Sequence, residues 1–380
     1  MINAVICEFN PFHNGHKYLL EQAAKKTGAN ATVCFMSGNF VQRGEPAITD
    51  KHTRAAAALE HGADLVFQIP TAHTLAGASV FAGAGVFLAS AMGVPTTLCF
   101  GTESEDLTPL YTLALVDRKK LASAFTSHIK SGKSYAAAVT AAYADCGAGD
   151  AEALKSPNNL LAFEYIKAII DQKSDLKIQN IVRVGAEHDG KTTEGGFASA
   201  SFIRQNPETA SQFAPVILPT RLDKTMFDNL ARFSIYTKTP FELSQFADMS
   251  EGLENRFCDA AKTAGSLDAL IDAVKSKRYT RSRLCRAAVN VLIGNPKGLY
   301  KRNPPCLRVL GFNDRGRELL KELSKTATLP IITKPADMET LPDARAHFEL
   351  ECRASDIYDY CCFNKKGGGV EYRTSPVYKK

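Results

Sequence analysis

An apolar run at residues 2–9 breaks at Asn10-Pro11 and re-enters, through Phe12-His13-Asn14-Gly15-His16, as an amphipathic segment at 17–26 that stops before Gly28. A strand, a tight turn and a helix in that order place the first N–H groups of the helix beside the strand's carboxyl end, where they build an anion site. Gly15 removes the Cβ that would keep phosphate oxygens from the backbone. His13 and His16 fall on neighbouring positions of one turn, where two imidazoles can stabilise the charge that develops as pyrophosphate departs. The expected ligand is a nucleoside triphosphate.

Further apolar, β-branched runs at 31–37, 64–69, 96–101 and 178–184 are continuous rather than alternating, as in strands buried on both faces. Helical segments separate them: 17–26, 51–61 (capped by Thr49-Asp50) and 78–92 end at Gly28, Gly62 and Gly93, and Pro157 opens a fourth at 157–171. This βα alternation predicts an α/β fold, a Rossmann-like doubly wound parallel sheet with ligands at the strands' carboxyl ends. His13, Ser37 and Gly101 all fall at such ends. Past residue 218 the strand signal stops and helical segments follow, with a short α/β region expected again from 329 to 360. The expected organisation is a catalytic domain at 1–217, a helical, basic domain at 218–328, and a small C-terminal region at 329–380 with a loose tail from 364.

The ten cysteines are scattered without a Cys-x-x-Cys pair, so they read as core residues of a reducing cytosol, and no metal site is expected. The apolar stretch at 75–94 is broken by Ser and Gly and reads as a buried helix. With no leader-like segment, the expectation is a cytoplasmic protein without a membrane contact or an obligate protein partner. Charge is uneven: residues 271–320 hold twelve Lys/Arg against three Asp/Glu, which leaves the remaining chain at −3 of the net +6. One basic surface facing an acidic polymer is implied, with Lys277, Arg278, Arg281, Arg283 and Arg286 as its candidate contacts on a helix beginning near 278.

Three more segments bear on chemistry. The loop Met36-Ser37-Gly38-Asn39-Phe40-Val41-Gln42-Arg43-Gly44-Glu45-Pro46-Ala47 can wrap an anionic substrate through Ser37, Gly38, Asn39, Gln42 and Arg43. Ser199, Ser201 and Arg204, in Ser199-Ala200-Ser201-Phe202-Ile203-Arg204, offer hydroxyls and a cation to the β- and γ-phosphates, although the same pattern also suits a helix cap. Ser156-Pro157-Asn158-Asn159-Leu160 opens a helix with paired Asn, either of which can cap it or contact a nucleotide. Arg183, ahead of Val184-Gly185-Ala186-Glu187-His188-Asp189, closes the last strand and points toward the same cleft.

Together these motifs, with Phe100-Gly101-Thr102-Glu103 and Lys277-Arg278-Tyr279-Thr280-Arg281-Ser282-Arg283, resemble the bacterial tRNA(Met) cytidine acetate ligases, a branch of the H-x-G-H nucleotidyltransferase superfamily. Ala162 departs from the Gly and Ser201 from the commoner Thr of that family. The resemblance implies an ATP site formed by Cys7, Glu8, Phe9, Asn10, Pro11, Phe12, His13, Asn14, Gly15, His16, Lys17, Tyr18, Leu19 and Leu20, together with Gly101, Asn159 and Arg183. It implies catalytic roles for His13 and His16, and a leaving group steadied by Ser199, Ser201 and Arg204. The reaction so implied uses ATP, with Mg2+, to activate acetate as acetyl-adenylate, and then acetylates the wobble cytidine of elongator tRNA(Met).

Two other functions fit parts of the sequence. A small-molecule adenylyltransferase, of the phosphopantetheine or nicotinamide mononucleotide type, needs one compact domain and leaves the basic helical region without a task. A non-catalytic RNA-binding protein leaves His13, Gly15 and His16 without one.

Overall fold

The computed structural model describes residues 1–133, 135–148, 151–184, 196–215, 222–365 and 367–380. Each apolar run is a strand: β1 (Ile2–Cys7), β2 (Ala31–Ser37) and, after a small hairpin of β3 (Phe40–Val41) and β4 (Glu45–Pro46), β5 (Leu65–Ile69), β6 (Thr96–Thr102) and β7 (Lys177–Val182). The parallel strands lie in the order β5, β2, β1, β6, β7. Alternate side chains leave a strand by opposite faces, so two cores form. Ala4, Ile6, Phe35, Phe67 and Phe100 meet the helices Ala78–Ser90 and Pro157–Gln172. Val5, Cys7, Cys34, Met36 and Cys99 meet Leu20 and Ala23 of the helix Asn14–Thr27, and Ala55 and Ala58 of the helix Lys51–Glu60. These three cysteines are thus small core hydrophobes, and none of the ten forms a disulfide. Among the described residues no helix is long and apolar enough to cross a membrane.

The expectation of a purely helical domain at 218–328 is corrected by one strand, β8 (Leu307–Phe312). It lies antiparallel to β5, with β9 (Ile331–Ile332) beside it, and β10 (Val377–Tyr378) adds a parallel edge. The doubly wound sheet is therefore mixed. β8 escapes a sequence reading because Arg308 and Gly311 interrupt its apolar run, and the partner that satisfies Arg308 in the interior, Glu371, lies far along the chain. The tail is likewise held, with Glu371 only 1% exposed. The boundary expected at 217 lies outside the described residues.

Among the described residues, 224–301 are mainly helical and pack around Leu243, Phe257, Leu270, Leu284 and Val291. The helix Arg281–Leu292 starts after its N-cap Thr280, so Arg278 precedes it rather than sharing its face. The β3–β4 hairpin presses on this helix. Gly44 has φ +80°, and a Cβ there would stand 2.3 Å from the Arg286 backbone nitrogen. Gly44→Ala is expected to cost about 2 kcal/mol of stability, through a disfavoured φ and a collision with backbone. Denaturant unfolding measures this, and wild-type stability would mean that the hairpin is free to lift away.

Candidate active site

The strand order reverses at β1, which has β2 on one side and β6 on the other, and the crevice at its carboxyl end is where such sheets bind ligands. The chain leaves β1 through Phe9, at φ +48°, and a cis Asn10–Pro11 bond. His13 then caps the helix Asn14–Thr27: its Nδ1 accepts the Gly15 N–H at 3.0 Å, while the His13 N–H donates to His16 Nδ1 at 3.3 Å. This is a capping box built from two imidazoles. Both bonds use an Nδ1 without a proton, which makes Nε2 the position from which each ring can donate. The rings stack with centroids 3.7 Å apart. Gly15 has a further task beyond the one expected: a Cβ would lie 2.9 Å from His13 Cε1, so the glycine makes room for the capping ring itself. Within the expected ATP stretch, Cys7, Phe9, Phe12 and Leu20 are buried core residues that shape the turn from beneath.

The structure folds the Ser199–Arg204 segment, the second phosphate signature, onto this turn. Ser199 is the N-cap of the helix Ala200–Gln205, accepting the Phe202 N–H at 3.1 Å. Arg204 donates to the Asn10 carbonyl at 2.6 Å and to Ser201 Oγ at 3.3 Å, and Asn14 Nδ2 reaches the Gly196 carbonyl at 3.0 Å. Segments nearly two hundred residues apart thus share one rim.

Opposite, at the ends of β6 and β7, Glu103 gathers the third set. Its carboxylate accepts from Asn158 Nδ2 at 2.5 Å and Ser156 Oγ at 3.3 Å, and pairs with Arg183 Nε at 3.9 Å. Asn159 Oδ1 accepts the Glu103 N–H at 3.1 Å. Arg183 also lies over Gly101, where a Cβ would be 3.6 Å from its Cγ. Glu103 was not among the expected site residues, although its place at the end of the Phe100–Glu103 motif marks it. Residues Gly185 to Asp189 lie outside the described residues.

The loop after β2 is held from below. Arg54, 1% exposed, donates to the carbonyls of Glu8 (2.5 Å), Thr49 (3.2 Å), Ser37 (3.3 Å) and Gly38, and to Ser37 Oγ. One guanidinium thereby ties the ends of β1 and β2. Sequence reasoning missed it, though an Arg in the Ala-rich inner face of a short helix was the available signal. Gln42 N donates to Glu8 Oε1 at 2.6 Å. Burial raises the Glu8 carboxyl pKa, against the lowering effects of that N–H and of Arg54, Arg204 and Arg43. Two expected substrate contacts are corrected. Ser37 is fully buried, and the Asn39 side chain is engaged internally, donating to Ser355 Oγ at 3.2 Å and accepting the Lys51 N–H at 2.8 Å. Both shape the loop.

The basic strip is also partly internal. Arg286 is buried, held by Asp248 at 3.0 Å and the Gln42 carbonyl at 3.3 Å, which removes it from the expected polyanion contacts. Arg281 pairs with Asp268 and Asp272, while Arg278 and Arg283 flank Glu251. Lys277 and Arg278 are exposed.

The model of the HIGH Nucleotidyl Transferase family matches residues 1–369. A tRNA(Met) cytidine acetate ligase of Acetivibrio thermocellus is 35% identical over 95% of each chain, and one of Clostridium novyi is 33% identical over the whole of both. Thermotoga maritima TmcAL superposes with a TM-score of 0.92 over 99% of each chain at 28% identity; a second crystal form, bound with alpha-thio ATP, gives 0.90. With its histidine turn, second signature and Glu103 cluster around one crevice, this chain belongs to the tRNA(Met) cytidine acetate ligase family of HIGH nucleotidyl transferases.

Proposed function

We propose that this protein is a cytoplasmic enzyme that joins acetate to the wobble cytidine of elongator tRNA(Met) at the expense of ATP. The observation that carries the reading is the stacked pair of imidazoles at the end of β1, each accepting a backbone N–H at Nδ1, beside the Arg204 segment. In the first step an acetate oxygen attacks the α-phosphorus, the bond from that phosphorus to the α,β-bridging oxygen breaks, and pyrophosphate leaves. His13 and His16 donate from Nε2 to phosphate oxygens as charge moves onto them, and Ser199, Ser201 and Arg204 steady the leaving group. Gly101, Asn159 and Arg183 hold the nucleoside end. In the second step the cytosine exocyclic amine attacks the acetyl carbonyl, AMP leaves, and the amine loses a proton. Mg2+ bound on the ATP phosphates would supply further positive charge to the leaving pyrophosphate.

Labelled acetate, ATP and total tRNA should yield acetylcytidine on digestion, and acetyl-CoA without ATP should not. Direct transfer from a thioester needs no nucleotide held in line with a carboxylate, so the histidine turn would then be idle. Robust acetylcytidine from acetyl-CoA alone overturns the reading.

The tRNA backbone is proposed to lie along Lys277, Arg278, Arg281 and Arg283, with Arg286 supporting the loop instead. Arg281→Ala with Arg283→Ala should weaken tRNA binding and reduce its salt slope by about 1–2, while leaving acetyl-adenylate formation near wild type. An unchanged slope would move the RNA elsewhere.

A further inference from the structure

Beneath the loop after β2 lies a buried polar network that none of the proposed chemical steps uses. Glu371, from the C-terminal segment, accepts from Lys51 Nζ at 2.5 Å, from Arg308 and from Ser355 Oγ. Lys51 Nζ also donates to Gln68 Oε1 at 3.0 Å, and Gln68 Nε2 donates to Glu351 at 2.6 Å. Glu351 in turn takes the Thr71 N–H at 2.6 Å and the Thr71 hydroxyl at 3.0 Å. The loop rests on this assembly at two points and on the neighbouring Tyr358 at a third. Gly38 lies so close that a Cβ would be 2.9 Å from Gln68 Nε2; Asn39 is bonded to Ser355 and to the Lys51 N–H; and the Ala47 carbonyl accepts the Tyr358 hydroxyl at 2.9 Å.

Ser355 is the narrow point of the network. Its oxygen accepts from Asn39 and its hydrogen goes to Glu371, so this hydroxyl carries the side-chain link between the Asn39 amide and the Glu371 carboxylate, beside the Asn39 bond to the Lys51 N–H. The charges themselves lie too deep to touch a ligand, at exposures of 1% for Lys51 and Glu371 and 4% for Arg308. Burying such a cluster is no efficient route to stability, because well-packed apolar residues usually serve as well. It does fix geometry, since each member has partners in set directions.

We infer that Ser355 and Glu371 are positioning residues, through which the C-terminal segment sets the placement of Asn39 and hence of the loop that carries Gln42 and Arg43 over the crevice. The inference rests on the adenylate-forming reading above, and acetate-dependent ATP–pyrophosphate exchange by the full-length wild-type chain tests that reading separately. Against that active baseline, Ser355→Ala keeps both ion pairs and so retains the fold. It should lower kcat about tenfold, with the KM for ATP within twofold and the melting midpoint within a few degrees of wild type. Asn39→Ala should lose at least as much, and the double variant should be no slower than Asn39→Ala alone, because one link is broken either way. Glu371→Gln, which keeps an acceptor for Ser355, should retain more activity than Glu371→Ala. Wild-type kcat in Ser355→Ala, a change confined to KM, or a double variant whose loss is the product of the single losses would each overturn the assignment.

Discussion

His16→Ala lowers acetate-dependent ATP–pyrophosphate exchange by about a hundredfold or more, and the protein stays folded. Removal of one preorganised donor to a developing charge typically costs about 3 kcal/mol of transition-state stabilisation. The same substitution deletes the acceptor for the His13 N–H. Loss of a capping partner costs about 1 kcal/mol, which is small beside the two cores beneath. Activity and stability therefore separate. His13→Ala should show a similar kinetic loss with a larger structural one, because His13 is the N-cap and takes the Gly15 N–H. Stopped-flow or exchange kinetics alongside thermal melting distinguishes the two effects. Exchange within threefold of wild type in either variant would remove the turn from the chemistry.

Glu371→Ala destabilises the protein by about 3–5 kcal/mol near neutral pH, because Lys51 and Arg308 are left buried without their shared carboxylate. Burial alone would raise the Glu371 carboxyl pKa, but Arg308 first, then Lys51 and the hydrogen bonds from Lys51 and Ser355, hold it well below its ordinary value of 4.5. Burial and the neighbouring Arg308 lower the Lys51 pKa, so of this pair the carboxylate is the more firmly held in its charged form. A carboxyl whose folded pKa is depressed stabilises the fold fully above its unfolded value, and that contribution is lost as pH falls toward the folded one. The gap in unfolding free energy between wild type and Glu371→Ala should therefore narrow steadily as pH drops below 4.5. Urea titrations at several pH values measure it. A variant as stable as wild type at pH 7, or a gap that widens in acid, would contradict the network's role.

Much of the site is local and therefore legible. A capping turn, a strand end and a glycine contact are decided within a few residues, so the histidine motif and the strands β1, β2, β5, β6 and β7 follow from spacing and apolar runs. The same holds for the caps at Asp50 and Ser199, whereas the helix Pro157–Gln172 is capped by Ser156 and not by either of the paired Asn offered for that role. Chemistry that depends on partners distant in sequence is not legible in this way. Asn39 and Ser37 have the composition of a substrate loop, yet Ser355 and Arg54 turn both inward. Arg286 counts toward a basic surface, yet Asp248 and the Gln42 carbonyl draw it into the interior.

Local periodicity and turn chemistry by themselves determined the nucleotide-binding half of this protein, because a βα turn carries its own phosphate-site geometry in contiguous residues. Only the tertiary structure decided which polar side chains face the crevice and which support it. A charge becomes structural when burial removes water and a fixed partner replaces it, and for Arg308, Lys51 and Glu371 those partners come from three separated parts of the chain.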